Sequence, residues 1–167
     1  MESAFNKQIN EELVSAYIYA AMANYFDGIN LTGFAHWMRL QTDEELLHAR
    51  KFRDHLINRG GKVVLSDIAA PQNEWAAPLA AFEAAYKHER HISECIHKLS
   101  SQAQSENDHA SHQFLEWFVA EQVEEEANAD NVVQQLKLVE GAPGGLFLLD
   151  REMAKRPAAA AEAGGGA

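Results

Sequence analysis

Glu12, Glu45, Glu89 and Glu125 each fall in or beside a run of apolar residues at helical spacing, where a side chain facing a protein core should be apolar. His48 follows Glu45 by three residues, and Gln122 precedes Glu125 by three, so each pair shares a helix face. An ionised carboxylate in a dry core costs several kcal/mol, on the order of a full desolvation penalty, unless a partner neutralises it. Four such acids on four segments, with no Lys or Arg at the adjoining seam positions, predict a shared cation. Carboxylates with one imidazole suit Fe²⁺ or Mn²⁺ better than a structural zinc, which favours thiolate and imidazole. So many anionic groups predict two ions with a bridging carboxylate, and Glu45 is best placed for that role because His48 joins it on one face.

The elements that must bring these residues together are legible from periodicity. The stripe Ile9, Leu13, Ala16, Ala20, Ala23 predicts a first helix from Ser3 to about Asp27, bordered by Glu12 and ended by Gly28. Thr32 is the expected cap of a second helix, which runs to Arg59 before Gly60-Gly61 with the seam Phe34, Met38, Gln41, Glu45, His48, Phe52, His55. Residues 60–78, with Pro71 and Pro78, are too long for a tight helix connection and read as a crossover. A third helix from Leu79 to Gln104 carries Phe82, Tyr86, Glu89, Ser93 and Ile96 on its seam. Asp108 is the expected cap of a fourth, with Leu115, Phe118, Gln122, Glu125, Ala129, Val132 and Leu136, ended by Gly141. A short apolar piece, Leu146 to Lys155, needs a neighbour to stand as a helix.

Two short turns and one long crossover define an all-α four-helix bundle with antiparallel pairs one–two and three–four. Counted from the turns, Glu12 and Glu45 lie about eighteen and fifteen residues away, and Glu89 and Gln122 to Glu125 about sixteen to nineteen, so all fall near mid-bundle. Residues 1–155 read as one domain and the Ala/Gly-rich stretch 156–167 as a flexible tail.

The 25 acidic against 14 basic residues, a formal charge of -11, disfavour nucleic acid and anionic membrane as partners and favour cations. No signal pattern opens the chain and no apolar run approaches a membrane span, so a cytoplasmic protein is expected. Cys95 is the only cysteine, which excludes an intrachain disulfide and makes thiolate-rich zinc or iron–sulfur sites unexpected. Of the histidines, only His48 has an expected role; His36, His55, His88, His91 and His97 have no convergent partner in the sequence, and His109 and His112 read as surface residues.

On Asn10-Glu11-Glu12-Leu13 with Tyr17 and Tyr19, Glu44-Glu45-Leu46-Leu47-His48, Tyr86-Lys87-His88-Glu89, Phe114-Leu115-Glu116-Trp117-Phe118 with Glu121-Gln122-Val123-Glu124-Glu125-Glu126, and Leu148-Leu149-Asp150, the chain resembles the haem-free bacterial and archaeal ferritins over almost its whole length. The resemblance implies a first iron on Glu12, Glu45 and His48 and a second on Glu45, Glu89 and Glu125, with Gln122 beside them. It also implies a third iron position using Glu44, Glu121, Glu124 and Glu125, and a site-adjacent tyrosine at Tyr19. Oxidation of Fe(II) by O2 or H2O2, storage as a ferric mineral, and assembly into hollow homo-oligomeric shells, typically of 24 subunits, follow from the same resemblance.

Two departures separate the chain from related families. Gln122 and Glu125 stand where bacterioferritins and many di-iron bundles have a second Glu-x-x-His, and Leu46 stands where bacterioferritins have their haem-ligating methionine, so no haem is expected. The absence of paired cysteines argues against a rubrerythrin. A di-iron oxygenase or radical-generating subunit would need a larger domain and the second Glu-x-x-His. A shell subunit without oxidation chemistry would not need Glu12, Glu45, His48 and Glu89 intact.

Overall fold

A computed structural model describes residues 1–142 and 144–158, and the described residues form five helices. They are α1 (Glu2–Gly28), α2 (Thr32–Asn58), α3 (Pro78–Ser105), α4 (His109–Leu138) and α5 (Gly145–Met153). Helix α1 packs most extensively on α2, and α3 on α4, which is the pairing that short turns dictate. In both turns an asparagine, Asn30 or Asn107, takes the left-handed conformation that lets the chain reverse. Helix α1 ends at Gly28 as expected, but Asn30 rather than that glycine supplies the positive φ.

The crossover follows the bundle from one end to the other. It starts beside the beginning of α1, where Asn6 Nδ2 donates to the Lys62 carbonyl (2.8 Å) and the Val64 amide donates to Asn6 Oδ1 (2.7 Å). It arrives at the other end with Trp75 buried and packed edge-on against Tyr25 at 5.3 Å. Aromatic area of this size anchors an otherwise irregular strap.

Buried apolar side chains fall into two clusters. One, toward the α1–α2 turn, centres on Phe26, Phe34, Met38 and Phe82 with Trp75 and Leu149. The other, toward the α3–α4 turn, centres on Phe5, Phe52, Ile96, Leu115 and Phe118, with Phe52 stacked on Phe118 at 4.1 Å. The polar residues singled out by sequence lie between them.

Helix α4 buries all seven residues of its expected seam. Helix α1 does not. Leu13 and Ala20 are only half-buried, while Phe5, Gln8, Tyr19, Met22 and Phe26 are buried, so Glu12 lies within the buried stripe rather than at its border. The small alanines of this helix fit either face, and the bulkier Tyr19, Met22 and Phe26 decide which one turns inward.

Thr32 is the first residue of α2 and makes no side-chain cap bond. The free amides there are taken instead by Asp150 of α5, whose Oδ1 accepts from Gly33 N (2.8 Å) and Phe34 N (3.0 Å). Gly33 is required by this docking, because a Cβ there would stand 1.7 Å from the Asp150 carbonyl oxygen. Asp108 caps α4 as expected, accepting from the Ser111 amide at 3.2 Å. The expected tail lies largely outside the described residues, but Arg156 is held against the bundle, as described below.

Candidate metal centre

Glu12, Glu45, His48, Glu89, Gln122 and Glu125 are all buried, the four carboxylates at 1–4% exposure. Glu12 comes from α1, Glu45 and His48 from α2, Glu89 from α3, and Gln122 and Glu125 from α4, so every long helix contributes. One oxygen of Glu12, one of Glu45 and a ring nitrogen of His48 lie within 4.8 Å of one another. His48 Nδ1 stands 3.5 Å from Glu45 Oε2 and 3.9 Å from Glu12 Oε2, and the ring is held edge-on by Trp117 and Phe118, each at 5.6 Å.

The remaining contacts orient these groups. Gln8 Nε2 donates to Glu12 Oε1 (2.8 Å), one turn away on α1. Gln41 Nε2 donates to Glu125 Oε2 (2.9 Å), and Tyr19 Oη donates to Glu89 Oε1. Gln122 Nε2 approaches Glu89 Oε2 and Ser93 Oγ, each at 3.3 Å. After these partners are counted, Glu12 Oε2 and Glu45 Oε2 are buried with no hydrogen-bond donor in the protein. An orphan carboxylate oxygen is expensive. Two of them facing the same imidazole nitrogen mark the point where a cation fits.

Electrostatics say the same. Burial holds the Glu12 and Glu45 carboxyls well above the usual range, and Glu45 in turn raises Glu12. For Glu45, the neighbouring charges that raise it further are Glu89 first, then Glu125 and Glu44, so it stands at the electrical centre of the group. Burial pushes Glu89 and Glu125 up to about 7. Burial, then Glu89, drives the Tyr19 hydroxyl well above its ordinary value, so it acts as a neutral donor. Without compensating positive charge these acids hold protons; a divalent cation releases them.

The second ring of acids is less uniform. Glu44 is half-buried and is raised by burial, partly offset by Arg156, while Glu121 is close enough to raise it. Arg156 Nη2 bonds Glu44 Oε2 at 2.7 Å, its guanidinium lies 4.5 Å over Trp37, and its carbonyl meets His36 Nε2 at 3.0 Å. Glu121 is half-buried and Glu124 exposed. Sequence reasoning missed Arg156, which was assigned to the tail, and gave no role to Gln8, although Gln8 stands one turn before Glu12, on the face of that acid. Gln41 was placed on the seam one turn before Glu45, yet its role as the Glu125 partner required the third dimension. His36, His55 and His88 also have partners that no spacing announced: Arg156, Ser111 Oγ (3.1 Å) and Ser15 Oγ (2.7 Å).

A helical bundle whose four long helices converge on buried carboxylates and one histidine defines a class of metal-binding four-helix proteins. The chain belongs to the ferritin family: the ferritin-like domain matches residues 2–139. It is 39% identical over 156 residues to a bacterial non-heme ferritin of Bacteroides fragilis, covering 93% of this chain and 97% of that one. It is 34% identical over 154 residues to a bacterial non-heme ferritin of Staphylococcus epidermidis, covering 92% and 93%. Among solved structures it is similar to an open pore ferritin from the hyperthermophilic archaeon Archaeoglobus fulgidus, at TM-score 0.93 and 48% identity over 94% of this chain and 96% of that one. Family and fold together support iron storage, and none of the described helices is long and apolar enough to cross a membrane.

Proposed function

We propose that the chain is a ferroxidase subunit of an iron store, in which Fe²⁺ is the substrate of the mid-bundle centre. Glu12, Glu45 and His48 bind one ferrous ion; Glu45, Glu89 and Glu125 bind a second, with Glu45 bridging. The observation that carries this reading is the pair of orphan oxygens, Glu12 Oε2 and Glu45 Oε2, beside His48 Nδ1. Each ion gives up one electron, so two ions reduce O2 to H2O2 with two protons, or H2O2 to two waters with two more.

Anionic oxygen donors stabilise Fe³⁺ more than Fe²⁺ because the added charge interacts with each carboxylate, which makes oxidation favourable. Tyr19 holds Glu89 through its hydroxyl, and Gln41 holds Glu125, so the ligands of the second ion are oriented before iron arrives. Gln122 lies where a second Glu-x-x-His would place its glutamate, and its neutral amide makes that side of the site a weak ligand. Weak retention suits a product that must leave as mineral.

A third ion, on Glu44, Glu121, Glu124 and Glu125, has to displace Arg156 from Glu44. That exchange makes it the last position to fill. The exposed Phe147 and Leu148 of α5 favour a homo-oligomer with α5 at a subunit contact, and the resemblance to ferritins implies that it closes into a shell, typically of 24 subunits. A cytoplasmic setting, without nucleic acid or membrane as partner, is in keeping with the lone cysteine and the acidic charge, and Leu46 is in keeping with a centre that uses no haem.

The test is anaerobic loading with Fe²⁺ followed by rapid mixing with air. Prompt ferric absorbance in the wild type, abolished in Glu45→Ala, is expected. Equal rates in the two proteins would mean a shell without its own oxidation site.

A further inference from the structure

We propose that Glu11, His91 and Cys95 form a separate metal site in the groove between α1 and α3, binding a borderline divalent cation of the zinc class through one carboxylate oxygen, one imidazole nitrogen and one thiolate. His91 and Cys95 are four apart on α3 and so share a face, the spacing at which a helix offers two donors to one ion. Glu11 reaches them from α1. It neighbours Glu12 in sequence but points the other way: Glu12 is sealed in the bundle, whereas Glu11 is half-buried at its surface.

The spacing of the donor atoms fits a tetrahedral ion. Zn–S near 2.3 Å and Zn–N and Zn–O near 2.0–2.1 Å at the tetrahedral angle require S···N of about 3.6 Å and N···O of about 3.4 Å. The observed distances are 3.7 Å from Cys95 Sγ to His91 Nε2 and 3.5 Å from His91 Nε2 to Glu11 Oε2. The third edge, between Sγ and the carboxylate, is within 4.8 Å and closes by rotation of the half-buried Glu11 side chain. Three protein donors leave the fourth position to water.

Burial, with Glu11 adding to it, pushes the Cys95 thiol up, while Lys98 and Lys7 act the other way. The thiol therefore keeps its proton until a metal displaces it to solvent as the Sγ–metal bond forms. Carboxylate and thiolate neutralise a divalent cation, and the ion would join α1 to α3, which pack less extensively on each other than on their antiparallel partners. Its donors are distinct from those of the iron centre, which contains no sulfur donor, although Glu12 lies close enough to raise the Cys95 thiol as well.

Because Cys95 is the only cysteine, thiolate coordination is a private signature of this site. Co²⁺ titrated anaerobically into the assembled, iron-free full-length protein is expected to give a near-ultraviolet sulfur-to-cobalt charge-transfer band. The band should saturate at one ion per chain and be displaced by Zn²⁺. It should vanish in Cys95→Ser, weaken at least tenfold in affinity in His91→Ala and in Glu11→Gln, and persist in Glu45→Ala. No sulfur-to-cobalt band in the wild type, or a band unaltered by His91→Ala or Glu11→Gln, would overturn the assignment.

Discussion

The waist of the bundle and its two ends are built from the same four helices on opposite principles. At the ends, aromatic rings fill space: Phe26, Phe34 and Phe82 pack within 5.3–5.7 Å of one another, and Phe5, Phe52, Phe114 and Phe118 do the same at 4.1–6.2 Å. At the waist, Glu12, Glu45, Glu89 and Glu125 replace what could have been one continuous apolar core. The ends hold the helices in register, and the waist uses that rigidity to keep like charges together. Stability and metal affinity are therefore supplied by different layers, and changes in one should act opposite to changes in the other.

The largest expected effect is on the apolar side of that contrast. Phe34→Ala should lower the free energy of unfolding by about 3–5 kcal/mol, measured by chemical denaturation of the metal-free protein, through cavity formation among Phe26, Phe82 and Asp150-capped α2. Glu45→Leu should do the reverse. Removing the central charge should raise metal-free stability by about 1–4 kcal/mol, because apolar groups of similar volume are neutral or better where buried charge is uncompensated. The same variant should lose rapid iron oxidation.

Oriented partners should matter less than ligands. Gln41→Leu removes the donor to Glu125 and should reduce the rate or iron affinity by about 10–100-fold, read by stopped-flow absorbance. Tyr19→Phe should show a smaller loss at the same readout if the hydroxyl only positions Glu89, and no change would remove it from the mechanism.

The pH dependence distinguishes the layers without mutation. Glu89 and Glu125 titrate near 7 in the folded chain, against about 4.5 when unfolded. Below 4.5 both states hold the protons and these groups do not affect stability. Between 4.5 and 7 the unfolded chain ionises first, so their contribution turns against the metal-free fold as pH rises, and the loss is complete above 7. The melting temperature of the metal-free wild type should fall more from pH 5 to 7.5 than that of Glu89→Gln/Glu125→Gln. Bound divalent metal should shrink that fall.

Arg156→Ala gives the smallest expected change. It frees Glu44 from its 2.7 Å partner and should fill the third iron position earlier in a titration while leaving the initial oxidation rate unaltered.

Local periodicity carried much of this to the sequence. The α4 seam was fully legible because its seven positions keep helical spacing, with large apolar residues at both ends of the run, and the acids could be set at one height because both turns are short. The α1 stripe was misread where alanines permit two faces. Thr32 is the cap that spacing predicts for α2, but Asp150, 117 residues beyond Gly33, accepts the free amides instead; the ion pair of Arg156 with Glu44 spans 112 residues. Groups whose partners are that distant leave no periodic trace. The Glu11, His91 and Cys95 cluster was invisible for the same reason, since its two halves lie on helices that do not adjoin in sequence.

Diffraction at the iron absorption edge from crystals loaded anaerobically with Fe²⁺ addresses the central claim most directly. Two anomalous peaks are expected at the waist, one among Glu12, Glu45 and His48 and the other among Glu45, Glu89 and Glu125, with both lost in Glu45→Ala. A waist without iron, its carboxylates protonated and bonded to one another, would contradict the account.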